Sequence, residues 1–143
     1  GVEFARCAQM VKDQKLNNVE FLKEVPYEQL PNFIAGTDLY LGGHFARSLK
    51  SGLVIPNKVF ESMAMKKAVI VGNCAASREL FTDGVHCRMV EQGGPEALAK
   101  AIMELKQDDL MREKIAAGGY NLVTGMLTPK KLGAKLLAIL KAK

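Results

Sequence analysis

The chain has 143 residues, 48% of them hydrophobic and 24% charged, which is the composition of a globular domain and not of a disordered or fibrous protein. Its longest apolar stretches, such as AVIVG, are far too short to span a bilayer, and its start, GVEFARCAQM, lacks the apolar core of a signal peptide. The 3 cysteines are widely spaced and odd in number, which argues against a disulfide framework and favours a reducing, cytoplasmic compartment.

The net charge of +5 suits an anionic partner, such as phosphates, nucleic acid or an acidic membrane surface. Much of this charge lies in residues 128–143, so a solvated basic helix explains it equally well. Aromatic residues make up only 6% and do not interleave with the basic ones, which argues against nucleic-acid binding by base stacking. Peripheral contact with the inner face of a membrane stays open, although we expect the leucines of this last helix to pack on the domain (Leu132, Leu136, Leu137 and Leu140).

The first part of the chain predicts helices and strands in alternation. Residues 3–16 have helical spacing, residues 18–25 alternate as a strand does, and residues 38–43 form a second strand that ends in two glycines. Between the strands, Pro31 falls inside a helical pattern, so that helix is short or begins late. Residues 44–56 have no clean periodicity and are expected to form a long loop.

The second part continues the alternation and then becomes helical. The predicted elements are a helix over 57–65, an apolar strand over 67–73, a short helix over 76–81, a short strand over 86–90, and helices over 93–107, 108–123 and 128–140. Alternation over residues 17–105 predicts an α/β fold with a parallel sheet. Ligands bind beyond the carboxyl ends of such strands, which here lead into residues 42–56 and 72–77.

The start of the helix at residue 57 has the features of a nucleotide site. Asn57 is a plausible N-cap, and the free amides and positive dipole end of the helix attract anions. Lys58 adds a charge for a phosphate, and the carboxylate of Glu61, on the same face, can accept hydrogen bonds from ribose hydroxyls. The alternative is an ordinary capped helix with a Lys–Glu surface pair worth about 0.2–0.5 kcal/mol.

Residues 55–102, IPNKVFESMAMKKAVIVGNCAASRELFTDGVHCRMVEQGGPEALAKAI, resemble the donor-binding domain of the retaining, GT-B-fold glycosyltransferases of family 4. The matching pattern there runs P-N-K-V-F-E-A-M-A-x-G-K-P-V-I, then A-x-R-E-L, D-G-x-x-C and G-x-P-E-A-L-A. The resemblance implies a three-layer α/β/α Rossmann-like sheet that lacks its first strands. It also implies transfer of a sugar from a nucleotide-diphosphate sugar with retention, without metal or other cofactor, as in polysaccharide or glycoconjugate biosynthesis.

The resemblance also implies roles for individual residues. Lys58 and Asn57 would face the diphosphate and Glu61 would hold the ribose. The base would rest on the backbone of Val25 and Pro26. The donor sugar would contact three residues of the loop after the second predicted strand (Gly43, His44 and Phe45). No catalytic residue is assigned, and the adjacent His86 and Cys87 lack further ligands for a metal.

The sequence departs from the family pattern in ways that bear on the predicted transferase function. Leu53 stands where many members have an acid eight residues before the ribose glutamate. The front of the donor domain and the whole N-terminal acceptor domain are missing, so we expect one partial domain over residues 1–143, with residues 107–142 packed on it and no activity alone. An uncovered sheet edge would favour self-association. A non-catalytic nucleotide-binding or protein-docking module of a degenerate transferase is the alternative, and an epimerase is a third possibility.

Overall fold

A computed structural model of the chain describes residues 3–22 and 24–142. The chain divides after Leu30 into two compact units, which we call unit 1 and unit 2. The single domain expected over residues 1–143 stays a prediction.

Unit 1 contains the helix α1 (Phe4–Asp13) and a turn of 3-10 helix (Tyr27–Gln29). The strand predicted over residues 18–25 is wrong, since residues 18–22 and 24–25 are not in a strand. A strand needs a neighbour for its backbone hydrogen bonds, and the described part of unit 1 contains no other strand. The alternating apolar side chains pack locally instead: the ring of Phe21 stands edge-on against the ring of Phe4, with centroids 5.3 Å apart.

From residue 30 onward, strands and helices alternate as predicted. In chain order the elements are α2 (Leu30–Ala35), β1 (Leu39–Gly43), α3 (Leu49–Leu53), α4 (Asn57–Ala64), β2 (Ala68–Gly72), α5 (Ala75–Leu80), β3 (Arg88–Val90), α6 (Pro95–Gln107), α7 (Asp109–Met126) and α8 (Pro129–Lys141). The helix before β1 begins late, as Pro31 requires, because proline is tolerated in the first turn of a helix.

The three strands form one parallel sheet in the order β1-β2-β3. Central β2 is buried along its whole length, which explains its continuous apolar sequence. Its side chains alternate between two faces: Val69 and Val71 join one core cluster, and Ala68 and Ile70 join the other.

Helices cover both faces of the sheet. On the face of Val69, α4 contributes Val59 and Met63 to the core. On the opposite face, α6 contributes Ala101 and Leu105, while α7 supplies side chains to both clusters. The predicted α/β fold with helices on both faces of a parallel sheet is therefore confirmed.

Two segments differ from expectation. The loop predicted over residues 44–56 contains α3, which begins with a reciprocal capping box between Ser48 and Ser51. In α8, the side chain of Thr128 caps the helix start by accepting from the N–H of Lys131. The four leucines expected to pack on the domain are largely exposed, and no side chain of α8 is buried among the described residues. Within the described residues, no helix is both long and apolar enough to cross a membrane.

Candidate functional site

The carboxyl ends of the three strands meet at one edge of the sheet. The strands end at Gly43, Gly72 and Val90, and the chain continues from them into α3, α5 and α6 respectively. The loop after β1 is the longest, and it passes through α3 before α4 begins. This is the edge at which parallel α/β sheets bind ligands.

Helix α4 packs closely on this edge because Gly42 has no side chain. A β carbon on Gly42 would lie 2.7 Å from Cγ2 of Val59 and 3.0 Å from a methyl group of Val69. Val59 is completely buried there. The start of α4 is thereby held against the end of β1.

The predicted capping role of Asn57 is wrong. Pro56 occupies the N-cap position with extended backbone angles, and no side chain caps α4. Asn57 is the first residue of the helix and is exposed. Because Pro56 carries the N-cap geometry, Asn57 can offer a ligand its backbone N–H, which has no partner within a helix at this position.

Lys58 crosses directly over Gly43. The Cε and Nζ atoms of Lys58 lie 3.1 and 3.2 Å from the point where a β carbon of Gly43 would stand. Gly43 has a φ of 95°, in the left-handed region that favours glycine. The structure therefore brings together two residues that the sequence assigned to adjacent parts of one ligand.

Glu61 lies one turn further along α4 and is half-buried. Among the described residues, neither Lys58 nor Glu61 takes part in an ion pair, and the Glu61 carboxylate accepts no hydrogen bond. The alternative of a Lys–Glu surface pair is therefore not what the structure shows. The carboxylate and the ammonium are both available to a ligand.

His44 and Phe45 are held in different ways. His44 has a φ of 58°, and its carbonyl oxygen packs so closely on Gly72 that a β carbon there would collide with it. The ring of Phe45 packs against the core cluster on the α6 side of the sheet. The side chain of Phe45 is thus anchored on the core, and its backbone forms part of the loop.

Val25 and Pro26, the residues assigned to the base, lie in unit 1 just before the turn of 3-10 helix. Val25 is half-buried and Pro26 is exposed. The backbone carbonyl of Pro26 accepts a hydrogen bond from the N–H of Gln29. Their assignment to the base stays a prediction.

Sequence reasoning missed two residues beside this site, Arg47 and Gln92. The side-chain amide of Gln92 donates to the carbonyl oxygens of His44 and Ser51 at 2.7 and 3.1 Å. The guanidinium of Arg47 donates to the Gln92 carbonyl at 2.8 Å and to the Glu91 carboxylate at 3.0 Å. No local pattern could have found these bonds, because the partners are more than 40 residues apart in sequence.

The two buried cysteines, Cys74 and Cys87, are not positioned to react with a ligand. Burial, with a smaller contribution from the Asp83 carboxylate, raises the pKa of Cys87 to about 12. Cys74 is also buried, and its Sγ lies 3.3 Å from the hydroxyl of Ser77. Within the described ranges, no three His, Cys, Asp or Glu side chains converge as metal ligands would.

The fold and the site at its carboxyl edge define a class: the chain has the Rossmann-like architecture of GT-B C-terminal domains. More specifically, it belongs to the family of glycosyl transferases group 1, whose model matches residues 3–108. No curated protein gave a match to the chain.

Solved structures agree with this assignment. The C-terminal domain of the glycosyl transferase group 1 family protein LpcC from Francisella tularensis is 25% identical, with a TM-score of 0.67, and the match covers 87% of this chain and 62% of that one. Alr3699/HepE from Anabaena, in complex with UDP-glucose, is 18% identical with a TM-score of 0.77, covering 97% and 36%. Sucrose-phosphate synthase from Thermosynechococcus elongatus is 17% identical with a TM-score of 0.77, covering 100% and 36%. The chain therefore spans less than two thirds of each of these structures.

Proposed function

We propose that the chain is the donor-binding part of a retaining family 4 glycosyltransferase that transfers a sugar from a nucleotide-diphosphate sugar. The observation that carries this proposal is the position of Lys58 across Gly43, with the carboxylate of Glu61, which has no ion-pair partner among the described residues, one turn further along the same helix. The Anabaena structure contains UDP-glucose, so uridine is the first base to test. Synthesis of a polysaccharide or glycoconjugate is the corresponding biological setting.

The proposed chemistry is breakage of the bond between the anomeric carbon and the diphosphate. Negative charge develops on the departing phosphate oxygen, and fixed positive groups stabilise it. The ammonium of Lys58 and the backbone amides of Asn57 and Lys58 would supply that stabilisation, and neither a metal nor another cofactor is assigned to the step. The donor sugar would lie over Gly43 and His44, close to the backbone of Phe45.

The nucleoside would be held at its sugar and its base. The half-buried Glu61 carboxylate would accept hydrogen bonds from two ribose hydroxyls. The base would lie on the backbone of Val25 and Pro26. The acceptor would bind to an N-terminal domain of the same protein, and the reaction would take place in the cytoplasm. Further partners under this proposal are a second copy of the chain, through the uncovered sheet edge, and the inner face of a membrane.

Titration of the chain with UDP, GDP and ADP by calorimetry tests the proposal. One nucleotide should bind, and Lys58→Ala and Glu61→Ala should each weaken it about tenfold or more, since each removes a charge-assisted contact worth ~1.5 kcal/mol or more. Lys100→Ala and Glu113→Ala remove equivalent charges from exposed sites on α6 and α7 and should leave the affinity unchanged. Equal losses in all four variants would point to non-specific charge attraction and contradict the assignment.

A protein-docking module of a degenerate transferase is the second candidate. The exposed leucines of α8 and the exposed Leu53 in place of the family acid favour it. Under this alternative none of the three nucleotides binds, and Glu61→Ala changes nothing.

A further inference from the structure

The loop that carries Gly43 and His44 is bonded to the turn between β3 and α6, which we call the β3–α6 turn (residues 91–94). Besides the bonds of Arg47 and Gln92, the N–H of Gly93 donates to the carbonyl oxygen of Phe45 at 2.6 Å. A β carbon on Gly93 would lie 3.1 Å from the Arg47 side chain, so the two segments are in close contact.

Gln92 is the centre of this contact. Its amide nitrogen faces the carbonyl oxygens of His44 and Ser51, and carbonyl oxygens can only accept. Both N–H groups of the amide are therefore used, one on each acceptor. His44 directly follows β1 and Ser51 lies in the first turn of α3, so one side chain bonds to both sides of the segment between them.

The segment needs such support because His44 is strained: its φ of 58° is a left-handed conformation that is unfavourable for a residue with a β carbon. Gly43 before it has a φ of 95°, which glycine adopts without this cost. Such a conformation persists only where the surrounding structure holds it. The carbonyl of His44 is held from both sides, by the amide of Gln92 and by the close approach of Gly72.

We propose that Gln92 is a positioning residue: it holds Gly43 and His44 in the conformation that places the donor sugar beside Lys58. The sugar part of this inference rests on the proposed function, whereas the support of the loop does not. Gln92 acts on the ligand through the carbonyl oxygen of His44. Arg47 assists by donating to the backbone carbonyl of Gln92, which fixes the backbone that carries this side chain.

Two substitutions test the proposal. Gln92→Met keeps the length of the side chain without its donors, and Gln92→Glu keeps its shape but turns an acceptor toward two carbonyl oxygens. Gln107→Glu, at an exposed position at the end of α6, makes the same charge change elsewhere. The first readout is backbone amide exchange at Ser48 and Ser51, which bond to each other's side chains and lie about 40 residues from the substitution.

We expect exchange at Ser48 and Ser51 to accelerate on the order of tenfold in both Gln92 variants, which corresponds to the loss of one or two hydrogen bonds, and to be unchanged in Gln107→Glu. Exchange is compared as a protection factor, the ratio to the rate of an unstructured peptide at the same pH, because amide exchange itself slows on acidification. Acidification should partly restore protection in Gln92→Glu, since a protonated carboxyl can donate to one carbonyl, and should leave protection in Gln92→Met unchanged. A side chain that merely fills space would show no such pH-dependent protection. Exchange at the wild-type rate in both Gln92 variants would overturn the proposal.

The second readout is the preference of the chain for UDP-glucose over UDP. The Gln92 variants should lose affinity for UDP-glucose about tenfold more than affinity for UDP, because Lys58 and Glu61 stay in place and only the sugar contact is misplaced. A preserved preference would overturn the link to the sugar. If the wild-type chain binds neither compound, nor GDP or ADP in the titration above, the proposed function fails, and the exchange measurement alone decides whether Gln92 positions the loop.

Discussion

The ammonium of Lys58 lies 3.2 Å from the point that a β carbon on Gly43 would occupy. The residue that ends β1 thus leaves space for the cation that α4 presents. Gly43 serves two purposes at once, since its φ of 95° also turns the chain into the loop that carries His44. A side chain at this position would disturb both.

Gly43→Ala should therefore weaken nucleotide binding about tenfold and reduce the free energy of unfolding by ~1 kcal/mol, because it adds backbone strain and displaces Lys58. The matched control is Gly52→Ala in α3, where a β carbon meets no atom within 4 Å. Since alanine favours a helix over glycine, this control should be neutral or stabilising by up to ~1 kcal/mol. Calorimetric titration and urea unfolding of both variants provide the measurement, and equal affinities would contradict the steric argument.

Two glycines of α7 should respond in opposite directions to the same substitution. A β carbon on Gly118 would collide with the backbone carbonyl of Val85, whereas one on Gly125 would point into open space. Gly118→Ala should destabilise the chain by about 1–3 kcal/mol, and Gly125→Ala should stabilise it by ~0.5–1 kcal/mol. Urea midpoints of the two variants measure this directly. Similar midpoints would mean that α7 does not pack against the segment before β3 as described.

Thiol labelling should separate the cysteines by position. At about pH 8, a reagent such as Ellman's should modify exposed Cys7 quickly and leave Cys87 unmodified in the folded chain, because the pKa of Cys87 is raised to about 12 and a thiol reacts as its thiolate. Cys7→Ser identifies the fast phase. Rapid labelling of Cys87 without unfolding would contradict the buried position of its thiol in the structure.

The raised pKa of Cys87 also affects stability at alkaline pH. The unfolded chain loses the thiol proton near the ordinary cysteine pKa of 9.0, whereas the folded chain keeps it to about pH 12. The unfolded state therefore binds fewer protons between these values, and the free energy of unfolding should fall as pH rises through that window. Cys87→Ala should show a shallower decline between about pH 8 and 11 in urea unfolding, and identical slopes would contradict the assignment.

The chain alone should not turn over a sugar donor. With UDP-glucose and a sugar acceptor, release of UDP should not exceed the enzyme-free rate, because under the proposed function the acceptor binds to another domain. Release of UDP that disappears in Lys58→Ala would contradict this expectation and show that the chain is sufficient for the reaction.

Local sequence was enough to predict most of the elements. The apolar run of β2, the spacing of Val59 and Met63 in α4, and the Thr128 cap of α8 are properties of neighbouring residues, so they could be read without a structure. The N-cap of α4 is Pro56 and not the predicted Asn57, which shows that local sequence alone does not fix the exact start of a helix. Both residues fit a helix start by type, and only the backbone angles distinguish them.

The strand prediction for residues 18–25 was wrong for a related reason. Alternation describes a side-chain pattern, but a strand exists only where another strand accepts its hydrogen bonds. The helix α3 was missed because its capping box joins two serines, Ser48 and Ser51, and the acidic or amide partner usual at the second position is absent.

The sequence by itself determined the α/β class and the placement of Lys58 and Glu61 one turn apart on one helix, since both follow from spacing along the chain. The carboxyl edge as the place of the site stays a prediction. Only the tertiary structure showed that Lys58 lies over Gly43 and that Gln92 holds His44 and Ser51. Those relationships join residues from different strands and loops. They depend on how closely α4 packs on β1 and on where the β3–α6 turn meets the loop, which no periodicity records.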